Sequence, residues 1–157
     1  MLRGGLINTP LGFAETGNIM VTAAYPNRYE RRQAAIVIPL AGMLPLFLGA
    51  VLSDWAYLRS EQVQWINFAA WLNAGAMVLV GVALLTTLVV GVFGGGTWRA
   101  WRISLGLLAA TFVVGFVAAL FHARDAFATM PGGLILSVIT FLLALAATWA
   151  GFRGGRS

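Results

Sequence analysis

The chain has 157 residues, 60% hydrophobic and 10% charged, with a mean hydropathy of +0.86, and a water-soluble domain of this size could not cover so much apolar surface. A formal charge of +5 and a pI near 11.1 would suit a nucleic-acid binder, but the arginines stand at the ends of apolar blocks, where they meet phospholipid headgroups, so no nucleic-acid partner is expected. With no cysteine, disulfides, thiolate metal sites, iron–sulfur clusters and a cysteine nucleophile are excluded.

In chain order, residues 1–33 lack a long apolar run, contain Pro10 and Pro26, and finish in the charged stretch Arg28-Tyr-Glu-Arg-Arg. They read as a cytoplasmic N-terminal arm. A signal peptide is not expected, because the basic cluster precedes a full-length span with no small-residue cleavage site after a short apolar core. Four blocks without Asp, Glu, Lys or Arg follow: Ala34 to Ser53, Gln62 to Trp98, Ile103 to Ala123 and Ala126 to Phe152. Each can span a bilayer core of roughly 30 Å, which takes about 20 helical residues. Their hydrophobicity is continuous and does not alternate, which disfavours a β-barrel. The predicted fold is therefore an all-α integral membrane protein, a four-transmembrane-helix bundle over 34–153. Its spans fall near 34–57, 63–94, 102–123 and 130–152, and a short tail occupies 154–157.

Local signals refine the elements. Pro39 and Pro45 should bend helix one, and Pro131 should lie in the first turn of helix four. Ser60 reads as the N-cap of helix two, with Glu61 in its first turn. Gly94-Gly-Gly96 should end that helix, and Thr97 to Arg102 should link it to helix three as a tight hairpin, making the two antiparallel neighbours. Thr111, Gly115 and Ala119 form a small-residue row on helix three. It reads as bundle packing, with a homodimer face as the sharper alternative. Asn67 and Asn73, on different faces of helix two, should each hydrogen-bond to a neighbouring helix.

The basic residues set the direction. One side carries Arg3, Arg28, Arg31, Arg32, Arg99, Arg102, Arg153 and Arg156, the other only Arg59 and Arg124. The positive-inside tendency then places both termini in the cytoplasm of a bacterial inner membrane. Trp55 and Trp65 at the outer ends, and Trp98, Trp101 and Trp149 at the inner ends, read as two interfacial belts.

Groups able to carry chemistry concentrate at the outer level, where Asp54 and Arg59 end helix one and His122, Arg124 and Asp125 join helices three and four. A functional reading makes this a periplasmic site in which Asp54 and Asp125 flank Arg124 and His122 titrates or binds a ligand. The simpler reading, which is favoured, is a hydrated salt-bridged cluster tying helix ends together. No ionisable residue stands near the bilayer midplane, as a transporter would require. Haem held between helices needs two axial ligands at matching depth, whereas the single histidine lies at the outer edge and Met43, Met77 and Met130 read as packing residues. No metal site, catalytic residue or resident cofactor is predicted, leaving lipids, or the pigments and quinone of a partner complex.

Leu52-Ser-Asp-Trp-Ala-Tyr-Leu-Arg59, Trp65-Ile-Asn-Phe-Ala-Ala-Trp71-Leu, Phe121-His-Ala-Arg-Asp-Ala-Phe127 and Met130-Pro-Gly-Gly-Leu-Ile-Leu-Ser137, taken in order, resemble the bacterial membrane family called domain of unknown function 2231 (DUF2231), over roughly 36–152. The resemblance implies a compact four-helix inner-membrane module, sometimes suspected of serving redox or cytochrome systems. Many members carry His-Pro elements before helix one. This chain has Asn27, Arg28 and Pro39 there, so no ligand role for those histidines transfers. The expected function is a non-enzymatic accessory subunit that stabilises or assembles a larger inner-membrane complex, respiratory or photosynthetic, with other membrane subunits as partners. The alternatives are a quinone-linked or membrane-anchoring partner of a periplasmic dehydrogenase or cytochrome, and a small transporter.

Overall fold

The structure, a computed structural model, describes residues 28–93, 98–123 and 130–154. Within them the chain forms α1 (Arg28–Ser60), α2 (Val63–Phe93), α3 (Trp98–His122) and α4 (Gly132–Gly154). Each contains a stretch long and apolar enough to cross a membrane. In hydrocarbon the backbone must satisfy its own polar groups, which a helix does residue by residue.

Several boundaries differ from the sequence reading. The 33-residue α1 begins at Arg28, six residues before the expected span, because Arg28 to Gln33 contain no glycine or proline and the end of an apolar block does not end a helix. The helix continues through both Pro39 and Pro45. Ser60 is not the N-cap of α2. It closes α1, its hydroxyl donating to the Ala56 carbonyl at 2.7 Å. Glu61 is not in a first helical turn but takes φ 55°, the left-handed conformation that turns a chain out of a helix C-terminus. With only Glu61 and Gln62 between the helices, one left-handed residue makes the corner. Trp98 to Arg102, expected in the α2–α3 link, form the first turn of α3, so the connection is shorter than predicted. Pro131 precedes the first residue of α4, and its carbonyl accepts from the Ile135 amide at 3.2 Å.

The helices form a closed ring in which α1 and α3 each pack against α2 and α4. Alternating direction follows from the pairs in contact. Leu79 lies over Gly42 and Leu72 over Gly49, Phe112 over Gly81 and Trp101 over Gly91, and Thr140 over Gly115 and Phe121 over Gly132. As expected, α2 and α3 are antiparallel neighbours. Leu40, Met43, Phe47, Val80 and Leu108 fill the centre, with Ala76, Ala83, Ala144 and Ala147 setting close helix approach. Thr111 and Gly115 of the small-residue row are buried and Ala119 half-buried. A Cβ on Gly115 would stand 2.5 Å from Met77 Sδ and 3.2 Å from Thr140, so α3 meets α2 and α4 there through the missing side chain. Met77 packs against the core, and Met130 is half-buried.

Candidate functional site

Antiparallel packing brings the C-terminal ends of α1 and α3 and the N-terminal end of α4 to one end of the bundle. There Asp54, His122 and Ser137, one from each helix, close on one another. Asp54 is fully buried and His122 is 8% exposed. His122 Nε2 lies 2.8 Å from Asp54 Oδ1, and the Ser137 hydroxyl donates to Asp54 Oδ2 at 2.6 Å. His122 Nδ1 lies 2.7 Å from the Ala118 carbonyl. A carbonyl only accepts, so the network assigns Nδ1 a hydrogen. Two lone pairs cannot face each other across Nε2 and Oδ1, so a proton also lies between those atoms. Whichever partner holds it, the pair is neutral as a unit, which suits a site walled by apolar helices.

This burial corrects the expectation of a hydrated charge cluster. Asp54 is the inward residue of its turn, and the ends of α3 and α4 close over it with polar partners. Arg59 does not join the trio. It is exposed, with its guanidinium 5.7 Å from the Trp55 ring centroid. Arg124 and Asp125 lie outside the described residues. Ser137 escaped the sequence reading. The usable signal was its level in the antiparallel register, since Leu40 meets Thr148 in the same α1–α4 pair that joins Asp54 to Ser137.

The chemistry open to the trio is limited by its order. A hydrolytic nucleophile needs its hydroxyl on the imidazole of the base, whereas Ser137 gives its hydrogen to the carboxylate and both imidazole nitrogens are engaged elsewhere. Among the described residues, no three His, Cys, Asp or Glu side chains gather as a metal site. One turn beyond Asp54, a cleft of about 140 Å³ is lined by Tyr57, Leu58, Glu61 and Met130.

The other polar residues divide. Asn73 is buried and donates from Nδ2 to the Gly115 carbonyl at 3.3 Å, whereas Asn67 is exposed. Trp55, Trp65, Trp98 and Trp149 are exposed at helix ends, and Arg153 lies over Trp149 at 4.8 Å. Trp101 departs from the expected belt. Half-buried against Gly91, it donates its indole N–H to the Thr87 carbonyl at 2.9 Å and hooks α3 onto α2. No protein-family model, no curated protein and no solved structure matches the chain, so its own residues carry the functional argument.

Proposed function

We propose that this chain is a non-enzymatic accessory subunit of a larger bacterial inner-membrane complex, which it stabilises or assembles through its helices and N-terminal arm, with both termini cytoplasmic. The observation that carries this reading is the closure of the buried Asp54–His122–Ser137 trio on itself. Asp54, His122 and Ser137 use their hydrogen-bonding capacity on one another and on Ala118. What the bundle offers outward is apolar helix surface, including Ile38, Trp71, Val78, Leu85, Val113 and Leu142. Such faces are covered by lipid or by other helices. The arginine asymmetry supports the orientation, and the resemblance to DUF2231 is the motive for a respiratory or photosynthetic setting. Native purification in mild detergent tests the reading. A stable assembly with other membrane subunits in fixed ratio is expected, and recovery of only monomer or homodimer would overturn it.

The second reading, a quinone-linked or anchoring partner of a periplasmic dehydrogenase or cytochrome, is favoured by the cleft beside Tyr57 and Glu61. Its volume of about 140 Å³ approaches that of cavities that accept one benzene-sized ring. Quinone in organic extracts of the purified chain, lost on Tyr57→Ala substitution, would select it.

A further inference from the structure

The end of α1 leaves two polar side chains without partners. Tyr57 is only 4% exposed, yet its hydroxyl has no hydrogen-bond partner among the described residues. The phenol oxygen is not sealed in. Among the described residues, the fully enclosed side-chain oxygen without a partner belongs to Thr87. The Tyr57 hydroxyl therefore meets the open space that Tyr57 lines, the cleft of about 140 Å³ shared with Leu58, Glu61 and Met130. The Glu61 carboxylate, four residues on, likewise has no ion pair or hydrogen bond among the described residues.

The backbone at the corner is a second, independent observation. A left-handed residue is needed there, and at φ 55° glycine would be relaxed, whereas a residue with a side chain costs on the order of 1 kcal/mol. The turn does not need a carboxylate, and the strained residue puts one beside the cleft. Neighbouring groups leave its charge uncancelled. Arg59 lies against the Trp55 ring, and Asp54 and His122, one turn deeper, are neutral as a unit. Among the described residues, Glu61 is the charged group lining the cleft, and the Tyr57 ring, Leu58 and Met130 make the rest of the wall apolar. A ligand suited to this space carries a positive charge, donates hydrogen bonds to a carboxylate and a phenol oxygen, and has a short carbon body.

We propose that the cleft binds a small primary ammonium group. Its N–H donors go to the Glu61 carboxylate and Tyr57 Oη, and its carbons lie against Leu58 and Met130. The volume matches about six non-hydrogen atoms, the size of benzene, which suits an aminoethyl unit. That chemistry has two sources at this end of the bundle, the headgroup of an ethanolamine phospholipid at the interfacial level of Trp55, or a free amine in solution. The assignment goes beyond the subunit reading and does not depend on it, and it gives the cleft an occupant other than quinone.

Two binding measurements on the full chain test this. In phosphatidylcholine nanodiscs the chain is titrated calorimetrically with ethanolamine hydrochloride at constant ionic strength, with tetramethylammonium chloride as the control for charge without N–H donors. In nanodiscs of equal phosphatidylethanolamine and phosphatidylcholine, native mass spectrometry reads which lipid stays with the ejected chain. One ligand per chain is expected in at least one arm. Saturable ethanolamine binding assigns a soluble amine, and selective retention of phosphatidylethanolamine assigns a headgroup. Glu61→Gln should weaken binding roughly tenfold or more, and Tyr57→Phe roughly threefold. Glu61→Gly should lose the ligand while raising the thermal midpoint, a pairing that a purely structural Glu61 would not give. No saturable binding in either arm, equal binding of the quaternary ammonium compounds, or an affinity unchanged by Glu61→Gln would overturn the assignment. Quinone extracted with the chain and lost on Tyr57→Ala would overturn it in favour of the second reading. The assembly recovered in native purification is a separate measurement, so the subunit reading stands or falls independently.

Discussion

His122→Ala is the most direct perturbation of the trio, because it removes the partner of a carboxylate that is fully buried. Asp54 keeps Ser137 but loses the neutralising imidazole, and stranding a buried charge in this way costs about 3–5 kcal/mol. That is a factor of at least ~100 in the folded-to-unfolded ratio. Asp54→Ala costs less, about 1–3 kcal/mol, since what it leaves unsatisfied is His122 Nε2 and the Ser137 hydroxyl. The double substitution should therefore destabilise by about 2 kcal/mol less than the sum of the single ones. Asp54→Asn separates hydrogen bonding from charge. Its amide can donate to Nε2 and its carbonyl can accept from Ser137, leaving every bond made and no charge buried, so it should cost roughly 1 kcal/mol or less. Reversible unfolding in mixed mild-detergent and dodecyl sulfate micelles, followed by tryptophan fluorescence, reads all four variants. Additivity of His122→Ala and Asp54→Ala to within about 0.5 kcal/mol would refute the coupling. Loss of as much stability in Asp54→Asn as in Asp54→Ala would refute the proton accounting.

At the α2–α3 turn, a Cβ on Gly91 would stand 1.7 Å from Trp101 Nε1, so Gly91→Ala must expel the indole from Thr87 and should cost about 2–4 kcal/mol in the same assay. Trp101→Phe, which loses the N–H and part of the ring, should cost about 1–2 kcal/mol. Glu61→Gly relieves a left-handed non-glycine backbone and should stabilise the protein by roughly 1 kcal/mol, raising its thermal midpoint in detergent. Because the chain has no cysteine, single-cysteine variants report sidedness cleanly. In intact spheroplasts Ser60→Cys should react with a membrane-impermeant maleimide and Ser157→Cys should not; the reverse pattern would invert the proposed orientation.

The four helices were legible because uncharged blocks of span length have few other solutions in lipid, and the α2–α3 pairing followed from the brevity of their connection. Helix ends were less legible. The block boundary at Ala34 marks where charge stops, whereas the helix at Arg28 stops where helix-forming residues stop. Ser60 was misplaced because a serine near a corner can cap the following helix or back-bond within the preceding one, and the left-handed Glu61 decides for the second. The inward faces were the hardest to read. In a soluble protein the apolar stripe points to the core, but here Leu136 and Ile139 are as apolar outside the centre as Leu40 and Phe47 are within it. Periodicity therefore could not show that Asp54 and Ser137 turn inward and Asn67 outward.

That same absence of an apolar stripe explains what the polar contacts contribute to the fold. Lipid tails are as apolar as leucine, so burying side chains between helices gives little drive, and helix order must come from close approach and hydrogen bonds. They are distributed around the ring. Asp54 joins α1 to α4 through Ser137 and to α3 through His122, Thr148 donates to Ala144 within α4 and shares that hydrogen weakly with the Leu40 carbonyl of α1 at 3.4 Å, and Asn73 and Trp101 tie α2 to α3 at two depths. The α1–α2 pair is instead held by its two-residue corner and by Leu72 and Leu79 lying over Gly49 and Gly42. Each of these bonds consumes a polar group in fixing an internal contact. Asn67 and Trp71, on the outward face of α2, fix none within the described residues.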